Sequence, residues 1–245
     1  MKYGIISDVH GNLDALERVL DFMQSQKTDI IMGCGDMVGY GPQPNECIEA
    51  LRSLDNYQGI MGNHEWEIIR QDNEFRFNKA AIDSLEWTRA NLKKDNLKYI
   101  SNCGIQKTTD DFICVHANPL HPLSGYLLSG HQADKALKSM DKNLCFIGHT
   151  HVPGCFKKNK KGVTEDIGLV ENLKIYLEPD SKYIVNAGSV GQPRDGNPEA
   201  CLCIYDSDKK EIFLYRIPYD IKSVQNKIIN AGLPNFLAYR LSEGL

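Results

Sequence analysis

The sequence predicts a single α/β domain built from two β-sheets with helices on the outside. Strand-like and helix-like segments alternate over the first 62 residues, and strand-like segments dominate after residue 110. The chain has 245 residues, enough for a large core, and no internal repeat, low-complexity segment or linker divides it. We therefore expect one domain over residues 1–245 that begins with a parallel sheet.

The first part of the chain supplies the alternating elements. The pattern predicts strands at 2–8, 29–35 and 58–62, and helices at 12–25 and about 45–54. The helix over 12–25 has apolar residues at 13, 16, 19, 20 and 23, which is the spacing of one α-helical face. Asn12 or Gly11 can cap its N-terminus. Strands separated by helices in this way favour parallel pairing.

Residues 65–100 are polar and helical, and NKAAIDSLEWTRANL is the clearest helix of this segment. Beyond it the pattern predicts strands at 111–116, 144–148, 183–187, 200–205 and 211–216, and a late helix at 220–231. The basic run KKNKKG at 157–162 is typical of a solvated hairpin turn rather than of a nucleic-acid surface. These strands are expected to complete the two sheets.

Composition and charge limit the partners. The formal net charge is -4, and 42% hydrophobic with 24% charged residues is typical of a soluble globular protein. An acidic balance without a basic stripe argues against a protein that holds long nucleic acid. No segment has the apolar length of a membrane span, so we expect no membrane partner.

The cysteines indicate the compartment. The N-terminus lacks the features of a signal peptide, and eight cysteines are scattered mostly through strand-like segments. We interpret them as reduced thiols of a cytoplasmic protein. Cys201 and Cys203 have a C-x-C spacing that can bind metal, but the strand-like alternation of EACLCIYD favours core packing.

Polar side chains follow the predicted strands at the points where these end. Five of the seven histidines lie in such positions. Ligands bind outside the carboxyl ends of the strands in open α/β sheets, so these positions predict a binding site. The candidate residues are Asp8, His10, Asp36, Asn63, His64, His116, His149 and His151.

The chemistry of these residues predicts metal binding. Residues i and i+2 of an extended chain project to the same side, so Asp8 with His10, and His149 with His151, could each present two ligands in one direction. Imidazole, carboxylate and amide groups suit Mn, Fe or Zn, and suit Ca²⁺ poorly. Each motif alone is more often a loop, a turn or a core histidine. Together the ligands are too many for one tetrahedral ion and fit two ions that share a carboxylate.

The order of the motifs resembles the calcineurin-like metallophosphoesterase superfamily. The series is Asp8-x-His10, Gly35-Asp36, Gly62-Asn63-His64-Glu65, His116 and Gly148-His149-Thr150-His151. GDMVGYGPQPNECI, NKAAIDSLEWTRANL and SVGQPRDGNPEA extend the similarity to a bacterial subgroup of diadenosine-tetraphosphatase-like phosphoesterases. The resemblance implies a four-layer α/β/β/α sandwich of two packed mixed β-sheets flanked by helices.

The resemblance also implies how the ligands are shared between two metal ions. The first ion would be held by Asp8, His10, Asp36 and His151. The second would be held by Asp36, Asn63, His116 and His149, with Asp36 bridging the two. A metal-bridging hydroxide would then attack the phosphorus in line with the leaving oxygen. Asn63 also matters for substrate binding, because an aspartate there would cancel the surplus positive charge that attracts a phosphate.

The family pattern places His64 over the scissile bond as a proton donor to the leaving group. Since His64 neighbours Asn63, an extended chain would project it away from that ligand. The subgroup resemblance implies a small soluble substrate, a dinucleoside polyphosphate or a phosphodiester nucleotide. The helical segment 65–100 lies where it could cap the cleft.

The chain departs from the protein phosphatases of the superfamily, which carry Gly-Asp-x-Val-Asp-Arg-Gly. Gly39 stands where the acid that orients the catalytic histidine would be, and Tyr40 stands at the phosphate-gripping arginine. A phosphoprotein phosphatase is therefore disfavoured, and His64 needs another partner. Arg194 could supply the missing grip on phosphate, or it could be a loop arginine paired with Asp195. Tyr40 could stack on a base, donate to a phosphate, or pack in the loop.

Two other functions compete. Some superfamily members, such as the small retromer subunit, use the fold for protein contacts, but they tend to lack a catalytic histidine, and here His64 is present. A nuclease for long DNA conflicts with the acidic balance. The oligomeric state is left open by the sequence.

Overall fold

The computed structural model describes residues 1–72, 74–168, 170–171 and 174–245. Over these residues it contains two mixed β-sheets of six strands each and eight helices. The strands are β1 (Lys2–Ile6), β2 (Ile30–Gly33), β3 (Tyr57–Gly59), β4 (Gln106–Thr108), β5 (Ile113–Val115), β6 (Leu144–Ile147), β7 (Gly154–Lys158), β8 (Thr164–Asp166), β9 (Lys174–Tyr176), β10 (Lys182–Asn186), β11 (Ala200–Asp206) and β12 (Glu211–Ile217). The helices are α1 (Leu13–Ser25), α2 (Pro44–Arg52), α3 (Asn63–Arg70), α4 (Lys79–Asn91), α5 (Lys94–Ser101), α6 (Gly130–Ser139), α7 (Ile221–Asn230) and α8 (Asn235–Glu243).

The sheets combine parallel and antiparallel pairing. The first has the order β3-β2-β1-β11-β12-β9, and β1 pairs in parallel with β2, as β2 does with β3. The second has the order β4-β5-β6-β10-β7-β8, in which β5, β6 and β10 run parallel. The parallel start predicted from the N-terminal alternation is therefore confirmed, and KKNKKG lies in the antiparallel β7–β8 hairpin.

A shared apolar core lies between the two sheets. Tyr3 and Tyr205 of the first sheet meet Phe112 and Phe146 in edge and tilted contacts with ring centroids 4.9–6.0 Å apart. Helices α1 and α2 cover the outer face of the first sheet, and α6 covers the outer face of the second. The four-layer sandwich is confirmed, and burial of these faces is the main contribution to its stability.

Five of the eight cysteines lie in this core, and the other three lie in or against the apolar clusters outside it. All eight are free, and seven of them are buried. Cys201 and Cys203 pack between the sheets, as the alternation of their strand predicted. None of the described helices has the length and apolar character needed to cross a membrane. The extent of one domain over residues 1–245 stays a prediction.

Some elements differ from the sequence prediction. The third strand ends at Gly59, and Asn63 with His64 opens α3 instead of closing an extended strand. The pattern also missed α6, α8 and four short strands. In α6 only Ala133, Ala136 and Leu137 are buried, which is too small an apolar face to produce a clear helical signal.

Candidate metal centre

The predicted ligands lie in loops at the carboxyl ends of β1, β2, β5 and β6 and at the start of α3. Five of them have left-handed backbone conformations, with φ of 53° at Asp8 and Asp36, 48° at His10, 66° at His149 and 60° at His151. The extended chain expected for these pairs is therefore wrong. The tight left-handed turns let the loops reverse at the sheet edge, and the side chains converge all the same. Such strained backbone is typical of functional sites.

The first group of ligands joins the two sheets. The Nε2 atoms of His10 and His151 lie 3.1 Å apart. Asp8 Oδ1 lies 3.3 Å from His151 Nε2 and 3.8 Å from His10 Nε2. Asp36 Oδ2 lies 3.6 Å from His10 Nε2. These four side chains are all buried and face one point.

The second group shares Asp36 with the first. Asp36 Oδ2 lies 3.3 Å from His116 Nε2. That same nitrogen lies 2.9 Å from Asn63 Oδ1 and 3.1 Å from His149 Nδ1. The structure therefore brings together all seven predicted ligands, in the two sets that the family resemblance implied.

The spacing of these atoms fits metal coordination. Donor atoms bound about 2.1 Å from one ion are about 3.0–3.4 Å apart for right-angled to tetrahedral geometry. Most of the distances within both groups lie in or near this range, and ligand atoms in three overlapping sets of Asp and His lie within 4.8 Å of one another. The donor set of imidazole nitrogen with carboxylate and amide oxygen suits a transition-metal ion.

Backbone hydrogen bonds fix the imidazole tautomers. Nδ1 of His10 donates to the Val38 carbonyl at 2.9 Å, that of His116 to the Cys34 carbonyl at 2.9 Å, and that of His151 to the Gln192 carbonyl at 2.6 Å. A neutral ring that donates through Nδ1 keeps a lone pair on Nε2. In the neutral rings these lone pairs face one another inside the centre, which is the arrangement seen for metal-binding histidines.

The charges of the centre are strongly coupled. Burial raises the pKa of the Asp36 carboxyl, but the nearby imidazoles of His116 and His64 lower it by more. The pKa of Asp36 therefore lies well below its usual value. Burial likewise opposes charge on His116, but Asp36 and Asp8 raise the pKa of that imidazole to about 10. Burial and His116 lower the pKa of His149 to about 3. The two carboxylates therefore favour a cation between these side chains.

Glu65 supports the centre from behind. Its Oε2 accepts hydrogen bonds from the backbone N–H of Asp36 at 2.9 Å and of Gly62 at 2.7 Å, and its Oε1 accepts from Val38 N–H at 3.0 Å. Burial raises the pKa of this carboxyl to about 7. The family motif contains Glu65, but the motif alone predicts no role for this residue. Its position three residues after Gly62, at the third residue of a helix, is the signal that could have revealed it.

A second support holds the Gly148–His151 loop. Asn186 is buried, and its amide donates to the Gly148 carbonyl at 2.7 Å and to Thr150 Oγ1 at 2.8 Å. A side chain on Gly148 would place its Cβ 1.8 Å from Ser7 Oγ. The loop therefore lies directly against the β1 end, and nothing in the sequence pattern distinguished Asn186 from an ordinary strand-end residue.

His64 lies beside the centre in an aromatic surrounding. Its Nε2 is 3.9 Å from Asp36 Oδ2, and its ring centroid lies 4.6 Å from His10, 4.7 Å from Tyr40 and 5.1 Å from Phe77. Burial lowers the pKa of His64 to about 4, against the opposing effect of Asp36. The extended chain expected to direct His64 is wrong, because the helical start of α3 sets its direction.

The structure leaves no room for a side chain at position 39, where the protein phosphatases carry an acid. Gly39 has a φ of +87°, and a Cβ there would lie 2.1 Å from His64 Nδ1. That nitrogen is buried and has no hydrogen-bond partner among the described residues. The His64 imidazole occupies the space that an acidic side chain at position 39 would fill. Neighbouring aromatic rings therefore position His64.

Arg194 and Tyr40 lie next to the ligands. The backbone N–H of Arg194 donates to the His151 carbonyl at 3.1 Å, and its guanidinium carbon is 5.6 Å from the Tyr40 ring centroid. Asp195 pairs with Arg216 instead, so the alternative of an Arg194–Asp195 pair is wrong. Tyr40 is 8% exposed and packs against His10, His64 and helix α8.

An open cavity of about 420 Å³ lies over the centre. Its wall includes ligands, residues 74–78 between α3 and α4, and the loop at 124–126. Tyr126 is 52% exposed and stacks on His149, with centroids 4.5 Å apart and planes inclined by 15°. The cavity thus joins a metal-ligand floor to basic and aromatic walls, which suits a phosphorylated compound.

The sequence model of the calcineurin-like phosphoesterase superfamily domain matches residues 1–210. The chain belongs to the calcineurin-like phosphoesterase superfamily. The enzymes of this superfamily are hydrolases of phosphoester bonds, and so is this protein. The family motifs recognised in the sequence are those that form the centre.

Relatives agree with this assignment. An uncharacterized protein of Methanocaldococcus jannaschii is 37% identical over 244 residues, which cover 98% of this chain and 97% of that protein. A metallophosphoesterase from Sphaerobacter thermophilus superposes with a TM-score of 0.89 at 36% identity, covering 100% of this chain and 99% of its own. A symmetrical bis(5'-nucleosyl)-tetraphosphatase of Vibrio campbellii is 27% identical over 115 residues, which cover 46% of this chain and 43% of that protein.

Proposed function

We propose that this superfamily member is a dinuclear metal phosphoesterase that hydrolyses a phosphate ester or anhydride of a small soluble nucleotide. The observation that carries the proposal is the pair of ligand groups that share Asp36 under one open cavity. A single site would not need the second set of ligands that Asn63, His116 and His149 add to Asp36.

Each ion would be held by ligands from both sheets. Asp8, His10, Asp36 and His151 would hold the first ion, and Asp36, Asn63, His116 and His149 the second. When bound, Mn, Fe or Zn ions supply positive charge that polarises a phosphoryl oxygen and makes water a stronger nucleophile. The neutral amide of Asn63 leaves the centre with net positive charge, which favours the binding of a phosphate.

His64 would protonate the leaving oxygen. It lines the cavity, and its Nε2 faces the bridging carboxylate rather than a backbone carbonyl. The guanidinium of Arg194 would bind a phosphate group of the substrate and orient the substrate beside His64. A guanidinium can make two parallel hydrogen bonds to phosphate. Tyr40 supports both groups by packing between them.

The nucleotide preference rests on three supports. The Vibrio campbellii relative is named as a dinucleoside tetraphosphatase. The cavity has room for a nucleotide-sized ligand, and the half-exposed ring of Tyr126 offers a face on which a base can stack. Residues 74–78 of the predicted capping segment 65–100 line the same cavity, which supports a role of this segment in selecting substrates; Asn73 lies outside the described residues.

We also propose a cytoplasmic location. Its support is that all eight cysteines are free, and structural thiols of this kind are typical of a reducing compartment. Cell fractionation with an antibody against the protein tests this location. A secreted or periplasmic pool would overturn it.

The function is tested by reloading metal-stripped protein with Mn²⁺ and following product formation by chromatography. The panel holds bis-p-nitrophenyl phosphate, p-nitrophenyl phosphate, diadenosine tetraphosphate, cyclic nucleotides and a phosphopeptide. Hydrolysis of nucleotides or diesters is expected, with little turnover of the phosphopeptide. Two bound ions with no hydrolysis in the whole panel would contradict the proposal and favour a scaffold role.

A further inference from the structure

Two arginines from distant parts of the chain meet in the wall of the cavity. Arg194 comes from the loop after β10, and Arg240 comes from helix α8. The matched family domain ends at residue 210, so Arg240 belongs to a segment beyond it. The Tyr40 ring centroid lies 5.6 Å from the Arg194 guanidinium carbon, and Tyr40 lines the same cavity as both arginines.

Arg194 is held but not neutralised. Its Nη2 donates to Gln192 Oε1 at 2.8 Å, and its buried Nε has no hydrogen-bond partner among the described residues. A buried N–H of a charged group without an acceptor is costly, so an acceptor from a ligand would stabilise it. The backbone bond to the His151 carbonyl fixes this loop to the metal centre.

Arg240 is fixed by the end of its own helix. Its Nε donates to the backbone oxygen of Leu245, and its guanidinium carbon lies 5.2 Å from the Phe236 ring centroid. The helix end is docked on the Arg194 loop, because Gly196 N–H donates to the Gly244 carbonyl at 3.0 Å. A Cβ on Gly244 would lie 2.7 Å from Asn197 N, so this approach requires a glycine.

The two guanidinium groups repel one another. Burial and the charge of Arg194 together lower the pKa of Arg240 to about 10, so Arg240 stays charged at neutral pH. Neither makes an ion pair with an Asp or Glu within the described ranges, whereas Arg216 does so with Asp195. An anion bound between these two like charges in the cavity wall would offset their repulsion.

We propose that Arg194 and Arg240 form a second anion subsite, which binds a phosphate group adjacent to the one being hydrolysed. This inference rests on the proposed function and narrows its substrate class to compounds with at least two linked phosphate groups. The metal ligands line the same cavity as both arginines, so a linked pair of phosphates bound there would place one group at the ligands and the other at the arginines. A forked guanidinium pair matches phosphate oxygens better than lysines would.

The test uses bis-p-nitrophenyl phosphate as reporter, with free Mn²⁺ held constant. The inhibition constants of methylphosphonate and methylenediphosphonate are measured for each variant, and their ratio is the readout. In the wild type the linked diphosphonate should bind about tenfold tighter or more, because it gains charge-assisted bonds. In Arg240→Gln this advantage should fall to about twofold, and in Arg240→Lys to an intermediate value.

Lys222→Gln is the matched control, since it removes one positive charge from an exposed position of helix α7. This variant should preserve the wild-type ratio of the two inhibition constants. A ratio unchanged in Arg240→Gln would overturn the subsite. If methylphosphonate with added inorganic phosphate reproduced the diphosphonate effect, the site would take a free anion, and the linked-substrate inference would be wrong. Absence of reporter hydrolysis by the wild type would instead contradict the proposed function itself.

Discussion

Asp36 is the residue on which both ligand groups depend. Its Oδ2 lies 3.6 Å from His10 Nε2 and 3.3 Å from His116 Nε2, and its Oδ1 accepts the backbone N–H of His64 at 3.0 Å. The same carboxylate therefore contacts both halves of the centre and the start of α3. Its left-handed backbone, with φ of 53°, turns the side chain back toward the sheet edge.

Replacement of Asp36 should remove metal binding and activity together. Asp36→Ala deletes the shared ligand, so bound metal measured by mass spectrometry of the purified protein should fall along with hydrolysis of bis-p-nitrophenyl phosphate. His131→Ala is a suitable control, because this histidine lies on α6 away from the ligands. Retention of two ions by Asp36→Ala would show that the carboxylate does not bridge.

Replacement of His64 should separate binding from turnover. His64→Ala should retain both ions and lose about 10²–10⁴-fold in turnover, the usual contribution of general acid catalysis. The loss should be larger for a substrate with a poor leaving group than for a p-nitrophenyl ester, because the latter needs little protonation. An equal rate of the variant and the wild type on the poor leaving group would refute the acid role.

Gly39 should tolerate no side chain. Gly39→Ala would place a Cβ 2.1 Å from His64 Nδ1 on a backbone with φ of +87°, so His64 must move. We expect turnover to fall while metal content is retained, and stability to fall by about 1 kcal/mol or more. Gly154→Ala is the control, because no atom lies within 4 Å of its added Cβ. Full activity of Gly39→Ala would show that the His64 position is not needed.

The convergence of the candidate ligands could be predicted from the sequence, but their backbone conformations could not. Strand-end placement and order pointed to Asp8, His10, Asp36, His116 and His149. Left-handed backbone at non-glycine residues has no sequence signature, and it replaced the expected extended geometry. The partner of Asp195 also depends on a tertiary contact with β12, far away in sequence.

At the scale of elements, helix α3 organises the centre through Glu65. This carboxylate accepts hydrogen bonds from three backbone N–H groups in two loops. It therefore holds the loop after β2 and the start of α3 together. Glu65→Ala should leave three buried donors without acceptors and lower the free energy of unfolding by on the order of 3 kcal/mol. Chemical denaturation measures this change.

Glu65→Gln is the matched variant for that prediction. It keeps the volume and one acceptor oxygen but replaces the other with a donor, so an intermediate loss is expected. Metal affinity should fall in the same order, wild type, then glutamine, then alanine. Equal stability of the alanine variant and the wild type would show that water replaces the carboxylate.

Elements without a clean apolar face escaped the sequence pattern. Helix α8 buries Leu237, Ala238 and Leu241 but exposes Phe236 and Tyr239, so apolar residues surround it and no amphipathic period stands out. Helix α1, by contrast, was predicted nearly to the residue because its buried positions recur on one face. The missed helix carries Arg240, so sequence reasoning could not include it in the site.

At the scale of the whole molecule, the centre joins the two sheets. Asp8, His10, Asp36 and Asn63 follow strands of the first sheet, and His116, His149 and His151 lie at strand ends of the second. Each ligand group takes members from both sheets. Bound ions would therefore link the two halves of the sandwich as well as serve the chemistry.

Removal of metal should destabilise the entire fold. Ligands that bind only the native state stabilise it by about 2.7 kcal/mol at one hundred times their dissociation constant. Chelation should lower the thermal unfolding midpoint, and Mn²⁺ should restore it in the wild type but not in Asp36→Ala. An unchanged midpoint on metal removal would mean that the ions do not link the sheets.

The most direct test of the central claim is the Mn²⁺ dependence of hydrolysis by metal-stripped protein, measured with the ion-to-protein ratio in the same sample. The account predicts that hydrolysis of a phosphodiester or dinucleoside polyphosphate rises with metal and saturates at two ions per chain. Full hydrolysis by the stripped protein, or saturation at one ion, would contradict a dinuclear centre built on Asp36.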